Sequence, residues 1–270
     1  NILAQVNQIS PSNLNSRLDI RRENDEIGDL VRTFNLFLDR LEESFKSQKR
    51  FVANASHELR TPLTSIIGEI EVTLKKQRST DEYVEVLNSI RQDTYTLHEL
   101  ITGLLNLAEA EAEKMHEMFK PVRVDEVAIE AGMLIEKKYP GSKVIVNYLG
   151  VNTSGDHFII PANRPLLFNA FVNIIDNAIK FSPDNQSAEL SLDATQNSIL
   201  FSVKDTGIGI PENEIGNIFA PFYRAKDAVS FKGYGIGLSL VERILTILKG
   251  EIQISSVPGN GTTVTVAFKK

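Results

Sequence analysis

At 270 residues, 42% of them hydrophobic, the chain is long enough for one large domain or two ordinary ones and can fill real cores. A net charge of −6, from 29 basic and 35 acidic residues, excludes the broadly basic surface that draws nucleic acid through counterion release, so no nucleic-acid partner is expected. With no cysteine the chain holds no disulfide and no thiolate metal site, and without a run of about eighteen apolar residues no direct membrane insertion by this fragment is expected.

The start at NILAQVNQIS, without methionine, reads as a piece of a longer protein. The first strong element is a helix. Ile27, Leu30, Val31, Phe34, Phe37, Leu38, Leu41, Phe45 and Val52 recur at three- and four-residue steps, and Asn24, Asp25 and Glu26 stand where a cap and first-turn acids belong. The stripe continues through Leu59, Leu63, Ile66, Ile67, Ile70 and Leu74, predicting a helix far longer than the globular mean of about eleven or twelve residues. A lone chain leaves such a stripe uncovered, forgoing roughly 1.5 to 3 kcal/mol for each large side chain. Residues 75–82, KKQRSTDE, read as a turn, and Tyr83 to Met118 as a second helix carrying Val84, Leu87, Ile90, Leu97, Leu100, Ile101, Leu104, Leu105 and Leu107. An all-α antiparallel hairpin of this kind pairs with a second copy as a four-helix bundle, which predicts a homodimer.

After Pro121 the pattern becomes mixed α/β. A helix near 124–138 precedes a strand at KVIVNYL, and a second helix runs from Pro165 to Lys180 with Leu167, Phe171, Ile174 and Ala178 on its inner side. Strands follow at AELSLDA and SILFSVKD, then a glycine-rich region over 205–237, a helix from Leu238 to Leu248, and a closing hairpin of GEIQISSV with TTVTVAF across PGNG. The class is an α/β sandwich, one sheet with helices on one face. The stretch from Asp205 to Gly235 is long for a loop and reads as a functional lid.

Four clusters carry chemistry. In IIDNAIK, Asn173, Asn177 and Lys180 stand at i, i+4 and i+7 on one helix face, amides suited to a hard cation beside an ammonium suited to phosphate. In DTGIGI, Asp205 ends a strand, with Gly207 and Gly209 letting backbone approach a flat ligand whose exocyclic amine the carboxylate can accept. In GYGIGLSL, Gly233, Gly235 and Gly237 precede a helix whose free N–H groups favour phosphate. A polar helix face or glycine turn alone is most often only solvated; their order is the signal. Neither glycine stretch completes G-x-G-x-x-G, since Glu212 and Leu238 fill the third place, and no Walker A sequence exists. The fourth cluster is SHELRTPLTS, residues 56–65, a histidine and carboxylate side by side on the first long helix. A zinc-protease reading fails, because position 61 is Thr61 and not histidine.

Together these stretches resemble the cytoplasmic part of a sensor histidine kinase of two-component signalling. SHELRTPLTS is similar to the H box, NIIDNAIKFS to the N box, DTGIGI and GYGIGLSL to the two glycine boxes, FAPFYR to the F box, and NDEIGDLVRTFN to the second helix of a HAMP domain, with a remnant of its first helix near Ile2 to Ile9. The resemblance implies a partial HAMP signal-transfer domain over 1–45, a dimerisation and phosphotransfer domain over 46–118, and a Bergerat-type ATP-binding domain over 119–270. It implies ATP and Mg²⁺ as cofactors, a response regulator receiver domain as partner, possession of regulator phosphatase activity, and a cytoplasmic fragment whose parent lies in the bacterial cytoplasmic membrane.

By the same resemblance His57 is the phosphoacceptor, Glu58 the base that takes its ring proton, and Thr61 the residue that orients water for regulator dephosphorylation, with Pro62 bending the helix beyond them. A neutral imidazole offers a ring nitrogen lone pair as nucleophile. Asn177 is the implied Mg²⁺ ligand, Lys180 a phosphate contact, Phe181 a wall for adenine, Asp205 the adenine-amine acceptor, Arg224 a γ-phosphate contact and Thr262 a residue of the adenine end. Leu238 and the glycines of both boxes complete the nucleotide set. Asn173 stands where gyrase-like ATPases carry a glutamate, and an amide cannot activate water, which favours a kinase over an ATPase. His98, His116 and His157 read as structural or solvated. A degenerate kinase acting as scaffold or phosphatase, and a stand-alone ATPase that its helices merely dimerise, are the alternatives.

Overall fold

In the computed structural model, residues 15–18, 26–111, 119–149, 158–182, 187–228, 231 and 233–270 are described. The predicted helix near Ile2 to Ile9, the end of the second helix over 112–118, His116 and His157 lie outside these residues. The chain divides into two compact units, Asn1–Thr61 and Pro62–Lys270.

Helix α1, Glu26–Leu74, has 49 residues and continues through Pro62. In the first unit Val31 and Leu38 are buried on its inner side together with Leu18. An amide clasp fixes that contact: the Leu18 N–H donates to Asn35 Oδ1 at 2.9 Å, and Asn35 Nδ2 donates to the Leu18 carbonyl at 3.0 Å. Beside it Arg17 donates to Asp39 and Glu42 at 2.8 and 2.5 Å.

In the second unit α2, Thr80–Glu111, starts inside the segment predicted as a turn. The reason is local. Ser79 and Glu82 form a capping box, with the Ser79 N–H donating to Glu82 Oε2 at 2.8 Å and the Glu82 N–H donating to Ser79 Oγ at 3.2 Å. Those bonds, the backbone one foremost, hold the Glu82 carboxyl below its ordinary value. Ser89 Oγ on α2 donates to Glu69 Oε1 on α1 at 2.7 Å. Along this hairpin Leu63, Ile67, Ile70, Val84, Leu87, Ile101 and Leu105 are exposed.

The remainder is the predicted α/β sandwich. β1 (Lys120–Arg123) pairs antiparallel with β3 (Ile159–Ala162), a small sheet the sequence reading lacked. The main sheet runs β2 (Lys143–Leu149), β4 (Ser187–Ala194), β5 (Ser198–Asp205), β7 (Gly261–Lys269), β6 (Gly250–Val257), with β2 parallel to β4 and the other pairs antiparallel. Period-2 alternation puts Ala188, Leu190, Leu192, Ile199, Phe201, Val203, Val266 and Phe268 on the buried face, while Ser202 and Thr265 share a hydroxyl bond of 3.0 Å on the other. Helices α3 (Val124–Lys138), α4 (Arg164–Lys180) and α6 (Gly237–Leu248) supply the covering layer. Phe171 of α4 anchors it, stacked on Phe201 at 3.9 Å and edge-on to Phe268 at 6.3 Å. Asn163 caps α4 by accepting from the Leu166 N–H at 3.2 Å. The glycine-rich stretch is not structureless: it holds the short helix α5 (Glu212–Ile215) and a 3₁₀ turn at Lys226–Ala228.

Candidate nucleotide-binding site

A cavity of about 500 Å³ opens in the second unit, a volume typical of small-molecule sites. Of the residues predicted to hold nucleotide, Asn173, Asn177, Lys180, Phe181, Asp205, Gly209, Arg224, Gly233, Gly235, Gly237, Leu238 and Thr262 all line it. Gly207 does not, and serves from behind. Its N–H donates to Asp205 Oδ1 at 2.8 Å, and a Cβ there would lie 2.2 Å from the Phe181 carbonyl oxygen, so only glycine lets the strand end pass the α4 terminus.

Asp205, which lines the cavity, is held by backbone donors. Its Oδ1 accepts from the Gly207 N–H and, at 3.0 Å, from the Thr262 N–H across the sheet. Neither bond uses Oδ2. Burial raises this carboxyl above its ordinary value, and the two backbone donors oppose the shift. Thr262 in turn shares a 2.8 Å hydroxyl contact with Ser256, which accepts from the Ile210 N–H at 2.7 Å, so the turn after Asp205 is tied to β6 and β7.

The cavity also carries cationic groups. Lys180 is largely buried, and that burial lowers its ammonium below the ordinary value, with Arg224 and Lys138 acting the same way and Asp176 opposing. Its Nζ lies 4.3 Å from the Phe181 ring centroid, and a Cβ on Gly233 would come within 2.8 Å of it. Gly235 has φ +70 and its missing Cβ would meet the Tyr223 carbonyl oxygen at 2.3 Å, which fixes the chain entering α6. Asn173 Nδ2 donates to the Asn169 carbonyl at 2.8 Å, turning Oδ1 towards Gly237.

Arg224 is engaged within the lid, donating to the carbonyls of Ala228 at 2.8 Å and Phe231 at 2.5 Å, and Phe231 sets its ring edge-on to Phe181 at 5.1 Å. Amide oxygens suit a hard cation, and among the described residues no cluster of histidine and carboxylate competes for one. Asn177, which carries such an amide, faces this cavity.

His57, Glu58 and Thr61 lie on α1 in the first unit, His57 exposed and Glu58 half-buried. The Thr61 hydroxyl donates to the His57 carbonyl at 3.2 Å, one turn back along the helix. Sequence reasoning missed other cavity residues. His98, Glu99 and Thr102 of α2 and Lys138 of α3 line the same space, so His98, read as merely structural or solvated, stands at the rim of the cavity. Lys138 Nζ lies 2.9 Å from Asp176 and 4.0 Å from Glu99. Partial burial works against that ammonium, and the Asp176 bond with both carboxylate charges outweighs it, raising Lys138 above its ordinary value.

Comparison with known proteins places these features in order along the chain. Residues 1–43 match the HAMP domain, 47–113 the His Kinase A (phospho-acceptor) domain, and 162–270 the histidine kinase-, DNA gyrase B- and HSP90-like ATPase family. The phosphate regulon sensor protein PhoR of Pseudomonas aeruginosa is 31% identical over 232 residues, covering 85% of this chain and 52% of that protein. Sensor protein CzcS of Cupriavidus metallidurans is 28% identical over 269 residues, 99% of this chain and 55% of CzcS. The chain thus spans about half the length of these curated relatives, and 30% of the non-motile and phage-resistance protein of Caulobacter vibrioides, with which it is 29% identical over 261 residues. In fold it resembles histidine kinase ThkA, solved in complex with response regulator protein TrrA (TM-score 0.65, 22% identity, 86% of this chain and 66% of that one), and Acinetobacter baumannii histidine kinase AdeS (0.58, 21%, 79% and 97%). A phospho-acceptor region followed by an ATPase sheet with this cavity, matched in that order over 1–43, 47–113 and 162–270, gives the conclusion that the chain belongs to the sensor histidine kinases of two-component signalling.

Proposed function

We propose that this chain is the catalytic part of an ATP-dependent protein-histidine kinase that phosphorylates itself on His57, passes the phosphoryl group to an aspartate of a response regulator, and also dephosphorylates that regulator through Thr61. The observation that carries the reading is the convergence on one cavity of Asp205, the Asn173–Asn177–Lys180 face and the glycines before α6, in a chain whose exposed His57 is followed directly by Glu58.

Each residue has a task in this reading. Asp205 Oδ2 accepts the adenine amine while its other oxygen stays tied to the backbone. Phe181 walls the base, and Lys180 with the α6 N-terminus takes the phosphates. Arg224 leaves the Ala228 and Phe231 carbonyls for the terminal phosphate when the lid closes. Asn177 would hold magnesium, which would supply positive charge against the phosphates. A ring nitrogen of His57 attacks the γ-phosphorus in line; the P–N bond forms, the bond to the bridging oxygen breaks, ADP leaves, and Glu58 takes the ring proton. The receiver aspartate then attacks the same phosphorus, making an acyl phosphate as the P–N bond breaks. Asn173 carries an amide where hydrolysis needs a base, so the phosphoryl group is kept for the ring. The co-crystallised pair of ThkA and TrrA supports a response regulator as the acceptor.

The exposed stripe of Leu63, Ile67, Ile70, Val84 and Leu87 supports a homodimer through the hairpins, with functional boundaries at 1–45, 46–118 and 119–270. No described helix is long and apolar enough to cross a membrane, and a membrane-anchored parent follows from the HAMP match and the sensor names of the relatives.

The test is incubation with labelled ATP and magnesium. The wild type is expected to gain acid-labile, alkali-stable phosphate, and His57→Ala to lose all of it while binding ATP as before. A chain that stays unlabelled under these conditions, or an alanine variant labelled as strongly as wild type, overturns the reading.

A further inference from the structure

The segment His98-Glu99-Leu100-Ile101-Thr102 of α2 repeats the pattern of His57-Glu58-Leu59-Arg60-Thr61, histidine, glutamate, leucine, any residue, threonine. His98, Glu99 and Thr102 line the nucleotide cavity, and so does Gly103. Helix periodicity explains this: His98 and Thr102 are one turn apart on the same face, with Glu99 beside them, while Leu100, on the far side, is fully buried and sets the rotation of the helix.

These residues stand beside the second glycine stretch and the start of α6. Tyr234, between the two glycines nearest Lys180 and α6, donates its hydroxyl to the Thr96 carbonyl at 3.3 Å, just before His98. Ile236, at the start of α6, lies 3.6 Å from the position a Cβ on Gly103 would take, and Gly237 follows it beside Asn173. Lys138 ties the same rim together, bridging Asp176 of α4 and Glu99 of α2.

We propose that His98 and Thr102 are contacts for the terminal phosphate of a bound nucleoside triphosphate, and that Lys138 passes from Glu99 to that phosphate when the triphosphate enters. An imidazole N–H, a hydroxyl and an ammonium are the donors a phosphate group takes, and none of the family's motif residues quoted above lies on α2. Glu99 has the opposite sign; it holds Lys138 at the rim and yields it to the ligand. The hairpin thereby completes the triphosphate site and distinguishes ATP from ADP, whose shorter phosphate chain does not reach α2. This inference rests on the reading of the cavity as an ATP site.

The experiment is equilibrium titration of the intact chain with ATP and with ADP, each with magnesium. His98, Glu99 and Thr102 sit at the rim, with His98 and Glu99 exposed, so substitution there leaves the core intact. His98→Ala is expected to weaken ATP about tenfold, the scale of one hydrogen bond to a charged group, with ADP unchanged. His98→Gln keeps an N–H donor and retains most of the preference, and Glu99→Gln removes the Glu99 hold on Lys138, leaving its Asp176 pair, and tightens ATP alone. If His98→Ala leaves both affinities as in wild type, or weakens both equally, the inference is wrong while the ATP reading stands. A wild-type chain that binds neither nucleotide brings down the ATP reading and this inference with it.

Discussion

Backbone crowding separates the nucleotide cavity from the His57 segment. Around Asp205 the chain closes on itself so tightly that Cβ atoms at Gly207, Gly209 and Gly235 would lie 2.2, 2.2 and 2.3 Å from carbonyl oxygens. His57 projects from an exposed helix whose local bonds, such as Thr61 to the His57 carbonyl, are those of any helix. Under the proposed function the difference follows from the chemistry assigned to each. Recognising adenine requires donors and acceptors fixed before the ligand arrives, because an acceptor that must be ordered on binding loses affinity. A phosphoacceptor that must meet ATP and then a partner's aspartate has to be reachable, so it is carried on a regular element with its side chain outward.

The strongest way to break this contrast is at Gly209. Its φ is +69, and a Cβ would lie 2.2 Å from the Val257 carbonyl oxygen. Gly209→Ala combines a left-handed backbone cost of about 1 to 2 kcal/mol with about 1 to 3 kcal/mol of overpacking. Thermal unfolding is expected to show a loss of at least about 2 kcal/mol, and titration no measurable ATP binding. The matching change on the helix, Ser56→Ala, removes only a hydroxyl bond to Val52 and should leave both quantities near wild type. Equal effects from the two would remove the distinction.

Asp205 sharpens it. Asp205→Asn keeps size and the acceptor for Gly207 and Thr262 but presents an N–H₂ where the adenine amine donates, for an expected loss of about 1.5 to 3 kcal/mol in ATP affinity. The pH dependence has a fixed sign. The buried carboxyl holds its proton to higher pH than in the unfolded chain, so its contribution to stability is present at low pH and is lost as pH rises through the folded value. Binding runs the other way: the ionised form accepts the amine, so affinity falls as pH drops through the same raised value. Titration of wild type and Asp205→Asn across mildly acidic pH checks this, since the acid limb should flatten in the variant.

The hairpin offers a smaller effect of a different kind. Leu87 is 65% exposed, so Leu87→Asp leaves a single chain's packing intact. A dimer that buries this position is expected to weaken by roughly 1.5 to 3 kcal/mol per protomer. Sedimentation equilibrium would show it as a rise in the monomer fraction; an unchanged distribution would mean that Leu87 lies outside the subunit contact.

Legibility in the sequence tracked regular patterning. The strands Lys143–Leu149, Ser198–Asp205 and Gly250–Val257 fall where alternation put them, because one apolar face must meet the helices. Short elements escaped: β1 and β3 have 4 residues each, too few for a period to register. The start of α2 was legible in principle, since Ser79 and Glu82 spell a capping box, but the polar run around them favoured a turn. Asp205, Asn177 and the glycines were visible because their order is constrained. His98, Glu99 and Lys138 were not, because cavity lining by residues of separate helices is a tertiary fact; the only local hint was the repeated histidine-glutamate-leucine pattern.

The smallest expected effect tests whether tight local fixation extends outside the nucleotide site. Asn35 joins Leu18 to α1 through both of its amide atoms, a pairing as specific as the bonds at Asp205 but half-exposed. Asn35→Ala removes two hydrogen bonds with a net worth of about 1 to 2 kcal/mol and should not alter ATP affinity, since the residue is remote in sequence from every cavity residue. Amide hydrogen exchange is the direct readout. In wild type the Leu18 N–H should be protected, and in the variant it should exchange several-fold faster, with the Asp205 neighbours unaffected. Unchanged exchange at Leu18 would show that burial of its side chain, 5% exposed, holds the segment without the amide clasp.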